Sequence, residues 1–364
     1  VSKIRTYKTG TGLGTPIITY TAGIGSYGAE DGGSLAMAES MTFNRQSIGM
    51  IGGILEAPKI SETQKRYVKF FHQNFEYYTD VRTMADVAVL YSFASMGFNN
   101  DRPAVSFMLF TQALIQARVP FEIIFDDHLK HLSKYRVIVL ADQECLDEAQ
   151  LELIRKYVQN GGGLVATQQS SLYTARRLRR SDFGLKDMFK VSAPPWRGPR
   201  APQQDLEIAS VQNRIGQGRC SYIPAIKPAL EKPPGVPMSS AYWKLPLNWQ
   251  EIVEQVRWAA GGKFTLEVKA PGTLAVVTEQ QEQVGKSRRL VHLLNYAAHQ
   301  GSTVNNIAVE SELPRDTRVD DVMLLTPDDP GMGSLPFTSR DQWVDFIVPR
   351  LATYSLAVIS LARA

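Results

Sequence analysis

Cysteine and histidine are scarce in this chain. Its 364 residues include two cysteines, Cys145 and Cys220, far apart and in no CxxC pair. That pattern excludes a disulfide framework and a cysteine-built zinc site. The five histidines, at 72, 128, 131, 292 and 299, form neither HxH nor HExxH. His128 and His131 fall in "DDHLKHLSKYR", which reads as a polar loop and helix turn rather than a ligand pair. No metal or cofactor is implied. Long apolar runs are missing too, and none approaches the ~20 residues that span a bilayer. The opening "VSKIRTYKTGTGLG" has no apolar stretch behind its charges, so it is not a signal peptide. Any such peptide would precede residue 1, which leaves the compartment open. A strong charge imbalance is also lacking: 40 Lys and Arg stand against 36 Asp and Glu, a net of +4. The basic run "ARRLRRSD" (Ala175–Asp182) reads as the solvated face of a helix, and no aromatics interleave with it, so nucleic acid is set aside. A membrane partner is set aside as well.

What is present is the composition of a globular protein, 44% hydrophobic and 21% charged, too long for one core and long enough for two or three domains. Residues 1–84 alternate strand and helix, with "TPIITYT" and "SIGMIGGIL" as strands and "SETQKRYVKFFHQNFEYY" as an amphipathic helix capped by Ser61. That makes about two βα units, too few to close a barrel. Residues 85–260 carry a clearer alternation. "VAVLYS", "FEIIF", "YRVIVLA" and "GLVAT" are strands separated by the helices "RPAVSFMLFTQALIQARV" and "DEAQLELIRKYVQN", the second closed by Gly161. This predicts a doubly wound parallel sheet. "RIGQGRCSYIPAI" adds a hairpin turned by Gly216 and Gly218, and "KPPGVP" (Lys232–Pro237) reads as a linker. From 261 to 364 only short strands and turns follow, the pattern of an antiparallel β-sandwich.

Chemistry is harder to place. "NGGGLVATQQS" (Asn160–Ser170) has the helix, glycine stop, strand and polar turn with which many α/β enzymes present a nucleophile, but the turn carries Gln168 and Gln169. A neutral amide supplies neither an acidic heteroatom nor a base. Ser170 and Ser171 lie in no G-x-S-x-G. Cys145 is crowded by Asp142, Glu144, Asp147 and Glu148, which raise a thiol pKa. "GTGLG" (Gly10–Gly14) and "GIGSYG" (Gly23–Gly28) resemble phosphate loops, but the second is followed by Glu30 and Asp31, where an anion would sit. Carboxylates are the better candidates: Glu30 and Asp31 after the first strand and Glu56 after the second, places that form the active rim of a (β/α) barrel. The alternative is that they are solvated loop acids. Glu39 reads as a brace for its own helix.

"YVQNGGGLVATQQSSLY", "RRSDFGLKDMF", "IGQGRCSYIPAI" and the tail "RRLVHLLNY…NIAV…LP…VDDVMLLTPD…VDFIVPRLATYSLAVI" together resemble the C-terminal half of the family-42 β-galactosidases and related glycoside hydrolases. The resemblance implies a (β/α)8 barrel, then a flavodoxin-like trimerisation domain related to class I glutamine amidotransferases, then a small β-sandwich. It makes residues 1–84 the last two βα units of the barrel, 85–260 the amidotransferase-like domain and 261–364 the sandwich. It also implies a carbohydrate substrate, a homo-oligomer such as a trimer, and a middle domain without a catalytic cysteine. The family places a nucleophilic Glu at the end of the seventh strand, near Thr19–Thr21, where this chain has Tyr20. The acid/base Glu belongs to a fourth strand that these residues do not contain. Retaining hydrolysis needs both carboxyl groups roughly 5 Å apart. Three readings stay open: Glu30 or Asp31 stands in, Tyr20 is the nucleophile, or hydrolysis has been lost. Glu56 and Tyr27 are candidates for contact with the sugar. Two rival functions are a non-catalytic assembly or carbohydrate-binding protein, and an amidotransferase-like hydrolase using Cys145.

Overall fold

In a computed structural model, residues 2–15, 20–21, 33–44, 47–48, 50–51, 61–198, 204–230, 244–270, 276–298, 301–329, 331 and 333–363 are described. They group into two compact units, residues 1–13 with 85–264 and residues 14–84 with 265–364, where the sequence suggests three consecutive regions. The linker "KPPGVP" lies outside the described residues.

The first unit opens with helix α1 (Ser2–Gly12), followed along the chain by strand β1 (Val87–Leu90), helix α2 (Arg102–Gln116), strands β2 (Phe121–Ile124) and β3 (Val137–Leu140), helix α3 (Glu148–Gln159), strand β4 (Gly163–Thr167), the hairpin β5 (Val211–Ile215) and β6 (Gly218–Ile223), and helix α4 (Trp249–Ala259). The sheet order is β2-β1-β3-β4-β6-β5, with every pairing parallel except β5 with β6. The doubly wound sheet read from the sequence is therefore present. β1, β3 and β4 are buried at every position, as expected of parallel strands covered on both faces. On one face Ala88, Leu90, Ile138, Leu140, Leu164, Ala166, Cys220 and Tyr222 share a core with Leu151, Ile154 and Val158 of α3. The alternate residues Val87, Val89, Val137, Val139 and Val165 point the other way and are equally buried.

Local chemistry sets the boundaries. At the start of α3 the Asp147 carboxylate accepts the Gln150 N–H, and the Gln150 side chain accepts the Asp147 N–H, both at 2.8 Å, a reciprocal capping box. The helix ends where Gly161 takes φ 107°, its N–H reaching the Val158 carbonyl and that of Gly162 the Tyr157 carbonyl. The expected hairpin turn is at Gly216, φ 57°. α1 departs from the sequence reading: "GTGLG" is not a phosphate loop, because Gly10 and Gly12 are helical. A Cβ on Gly12 would lie 2.2 Å from the Ile123 carbonyl oxygen, so glycine lets the helix press onto β2, where Lys8 donates to the Phe121 carbonyl at 2.9 Å.

The second unit is built on two antiparallel sheets. One has the order 266–269, 304–312, 343–351, 337–340; the other has 317–325, 354–363, 288–295, 276–283, 81–83. They share one apolar core, with Val268, Ile307, Val309, Phe346 and Val348 from the first sheet and Val291, Leu293, Val322, Leu324 and Ile359 from the second. Strand Val81–Thr83 joins the edge of the second sheet, a pairing not expected from its place before residue 85. Tyr20–Thr21 and Met50–Ile51 form a two-stranded parallel sheet, and the helical segment Ser34–Asn44 lies between them in sequence. Ser61 caps Glu62–Gln73 through a second reciprocal box with Gln64. A buried polar chain binds the segment Ser34–Asn44 and the short helical turn Phe75–Tyr78 to the sheet. The Tyr78 and Tyr354 hydroxyls meet at 3.0 Å, His292 Nδ1 meets the Tyr354 hydroxyl at 2.9 Å and His292 Nε2 meets Gln281 Oε1 at 3.1 Å. Gln281 Nε2 then donates to the Thr42 carbonyl at 2.9 Å.

Gly218 offers a direct test of the packing. A Cβ there would stand 2.1 Å from the Val158 carbonyl oxygen and 2.3 Å from that of Gly162, and backbone cannot step aside as a side chain can. Gly218→Ala is expected to destabilise the first unit by about 1–3 kcal/mol or more, read as a lower urea midpoint by circular dichroism. An unchanged midpoint would show that the contact is not as tight as described.

Candidate functional site

The sheet order reverses between β1 and β3. In open α/β sheets the crevice at the carboxyl ends of the strands flanking such a reversal is where ligands bind. Here β3, on one side of the reversal, and its neighbour β4 run into unusually polar, buried turns. β3 is followed by Asp142, Gln143 and Glu144, and β4 by Gln168, Gln169, Ser170 and Ser171, all buried. Asp142, Gln168 and Ser171 hold φ of 52°, 51° and 66°, a left-handed backbone that non-glycine residues adopt only when their surroundings enforce it.

Hydrogen bonds enforce it. The Gln168 N–H donates to the Ile223 carbonyl, its own carbonyl accepts the Tyr222 hydroxyl at 2.6 Å, and its side-chain oxygen accepts the Ser106 hydroxyl at 2.7 Å. The Asp142 N–H donates to the Thr167 hydroxyl and its carboxylate accepts the Gln169 N–H, both at 2.9 Å. Arg102 reaches the second Asp142 oxygen at 3.6 Å and also pairs with Asp205. Glu144 accepts Asn99 Nδ2 and the Arg177 guanidinium, each at 2.9 Å. Burial drives the Asp142 carboxyl up to about 7; Arg102 and the Gln169 N–H oppose that rise, and the neighbouring Glu144 and Asp205 add to it.

The sharp turn expected after "GLVAT" thus exists with an amide at its apex, and an amide cannot attack a carbonyl. Ser170 and Ser171 offer no substitute. The Ser170 hydroxyl donates to the Leu140 and Thr167 carbonyls and the Ser171 hydroxyl accepts the Leu185 N–H, so neither hydroxyl is held by a base. Cys145 is fully buried. Burial first, and Glu144 second, push its thiol up to about 11 against the opposing Arg177, which disfavours the thiolate that the Cys145 hydrolase reading requires.

The basic run 175–182 is not the solvated helix face expected of it. It is a turn in which Arg176 is exposed and the other three arginines are engaged, Arg177 with Glu144, Arg180 with Glu148 and the Leu146 carbonyl, and Arg179 with the Pro194 carbonyl. The constellation of Asp142, Glu144, Arg102, Arg177 and Asp205 was not anticipated as a unit. Its signal in the sequence was an acid-rich stretch, "ADQE", directly after a wholly apolar strand.

Of the candidates from the barrel-like segment, Glu30, Asp31, Tyr27 and Glu56 lie outside the described residues. Tyr20 belongs to the short parallel pair, its backbone opposite Met50. Glu39 is buried and accepts the Tyr296 hydroxyl at 2.6 Å, which ties its helix to the strand 288–295 that Tyr296 follows. Among the described residues no cluster of three or more His, Cys, Asp or Glu side chains could hold a metal ion, and no helix is long and apolar enough to cross a membrane.

With this geometry in place, comparison with solved structures is informative. The α-L-fucosidase isoenzyme 2 of Paenibacillus thiaminolyticus matches with a TM-score of 0.64 at 17% identity, over 96% of this chain and 61% of that one. Over the matched residues the chain shares the fold of that enzyme. A β-galactosidase from Bacillus circulans sp. alkalophilus matches at 0.63 and 13% identity, over 98% of this chain and 58% of the enzyme. Gan42B, a GH42 β-galactosidase of G. stearothermophilus, matches at 0.59 and 14%, over 91% and 51%. The chain therefore spans between half and three-fifths of the length of these structures. No family model matches the sequence, and no curated protein is similar to it in sequence.

The buried carboxyl predicts a pH signature. The folded Asp142 pKa of about 7 stands above the 3.8 of a free carboxyl. Between those values the unfolded chain releases a proton that the folded one keeps, so stability falls as pH rises from about 4 to about 7. Asp142→Asn keeps an acceptor for the Gln169 N–H and is expected to remove that part of the slope in urea unfolding measured across this range. A slope unchanged by the substitution would contradict the assignment.

Proposed function

We propose that this chain is the C-terminal part of a glycoside hydrolase of the β-galactosidase type. The observation that carries the reading is the match of nearly the whole chain to β-galactosidases and a fucosidase of which it spans only 51–61%. On this reading the parallel pair Tyr20–Thr21 and Met50–Ile51 belongs to the last two βα units of a (β/α)8 barrel. The first unit is amidotransferase-like and serves subunit contacts in a homo-oligomer, such as a trimer. The two-sheet unit is the terminal β-sandwich. The glutamine at the elbow and the buried Cys145 favour this division of labour, since the parallel-sheet unit keeps a catalytic-looking turn without a group able to react.

Hydrolysis of a glycosidic bond requires one carboxyl group to protonate the leaving oxygen and a second group to attack or stabilise the anomeric carbon. The acid/base carboxylate would come from an earlier barrel strand. This chain would contribute the second group at the end of the seventh strand, from Glu30, Asp31 or Tyr20. Glu56 and Tyr27 would line the sugar subsite. The substrate is a carbohydrate, and no cofactor is required.

The isolated 364-residue chain is expected to show no turnover of aryl galactosides or aryl fucosides, whereas the complete native polypeptide hydrolyses one of them. In the complete polypeptide, one of Glu30→Gln, Asp31→Asn and Tyr20→Phe lowers kcat by roughly 10²–10⁴-fold. Turnover by the isolated chain would overturn the partial-barrel reading. Full activity in all three variants would remove this segment from the chemistry.

A further inference from the structure

The turn that has no nucleophile borders a cavity of about 540 Å³, within the size range of small-molecule sites. It lies at the carboxyl edge of the parallel sheet. Its lining includes Asn99, Gln169, Tyr173, Arg177, Trp196 and Gln204, all in the first unit. The proposed hydrolysis gives this cavity no role. We propose that it is a binding site for a single hydroxylated sugar ring, separate from any barrel active site.

Three features of the lining fit such a ligand. Gln169 is 3% exposed, and its side-chain oxygen has no hydrogen-bond donor in the protein. A buried amide carbonyl left unpaired is unfavourable by about 1–3 kcal/mol. Gln169 lines the cavity and the terminal torsion of a glutamine is soft, so rotation about it can bring that oxygen within reach of a ligand hydroxyl. Asn99 and Arg177 are oriented in advance, because buried Glu144 holds both at 2.9 Å and the Arg177 guanidinium also lies 5.2 Å from the centre of the Tyr173 ring. Arg177 keeps φ at 58°, a conformation maintained by these contacts, and its remaining N–H groups are donors for an acceptor oxygen. Trp196 is 64% exposed and adds a flat apolar surface at the rim.

This combination discriminates between ligand classes. An inorganic anion such as phosphate is mainly an acceptor of hydrogen bonds and has no C–H face to lay on an aromatic ring. A purely apolar ligand leaves every polar group of the lining unpaired. A sugar ring donates to Gln169, accepts from Arg177 and Asn99, and lays its C–H face on an aromatic ring. Galactose and fucose are chosen as probes because of the proposed hydrolase reading; the site itself does not depend on that reading.

The test is calorimetric titration of the full 364-residue chain with D-galactose, L-fucose and D-glucose, with inorganic phosphate as counter-probe. At least one sugar is expected to bind saturably. Gln169→Leu and Trp196→Ala should each weaken that binding by about tenfold or more, the effect of losing one hydrogen bond or one stacking face. Trp196 is at the surface, so its variant keeps the fold even if the buried Gln169 variant does not, and a thermal melt checks both. Absence of saturable binding by all three sugars, binding of phosphate alone, or sugar binding untouched by Trp196→Ala would each overturn the proposal. The readout is binding without turnover, so it can succeed or fail independently of the hydrolase reading, which is judged by activity of the complete polypeptide.

Discussion

The Asp142 carboxylate sits without solvent contact between the Gln169 N–H at 2.9 Å and the Arg102 guanidinium at 3.6 Å. The whole carboxyl edge of the parallel sheet depends on this arrangement. A buried carboxylate must be paired or neutralised, and Asp142 is poised between the two, its pKa near 7. In return it fixes the turn after β4 to the turn after β3. Tyr222 and Ser106 complete the hold on Gln168. The left-handed turn therefore persists for reasons unconnected with nucleophilic attack: its geometry is maintained by hydrogen bonds to backbone groups and by side chains of neighbouring elements. The bonds to the Gln168 backbone, from the Tyr222 hydroxyl and to the Ile223 carbonyl, do not depend on which side chain the turn carries, whereas the Ser106 bond is made by the amide itself. The shape of the turn is thus held by the backbone and does not require a reactive side chain at its apex.

The strands of both units were legible because their patterns are strong. "VAVL", "VIVL" and "GLVAT" are unbroken apolar runs and became buried parallel strands, and the cap at Ser61 and the glycine stop at Gly161 were readable as local signals. Helix α1 was not legible. Its two glycines lower helix propensity, and what holds it is tertiary, namely Lys8 on the Phe121 carbonyl and the close approach of Gly12 to Ile123. The arginines of 175–182 were misread for a similar reason. Composition suggests a solvated face, but buried Glu144 recruits Arg177 from across the fold. Sequence spacing cannot show a partner 33 positions away.

The second unit shows the same dependence on distant partners. Tyr78, Tyr354, His292 and Gln281 form a continuous buried hydrogen-bonded chain that ends on the Thr42 carbonyl. Buried polar networks of this kind favour one packing over its alternatives only when every member is satisfied. Each of the four residues reads in the sequence as an ordinary strand or helix residue. The candidate site fared differently. Glu30, Asp31 and Glu56 were read from their places after two predicted strands, and the need for a pair of carboxyl groups came with the family resemblance; these residues and Tyr27 lie outside the described residues.

The central claim is that the chain is one part of a larger glycoside hydrolase. The fold is consistent with it through structures of which this chain spans 51–61%. The most direct measurement is the intact mass of the native polypeptide from its source. The account predicts a mass well above 40.5 kDa, the excess matching the missing units of a barrel of about 250 residues. A native mass equal to that of this chain would contradict it and leave a stand-alone binding or assembly protein.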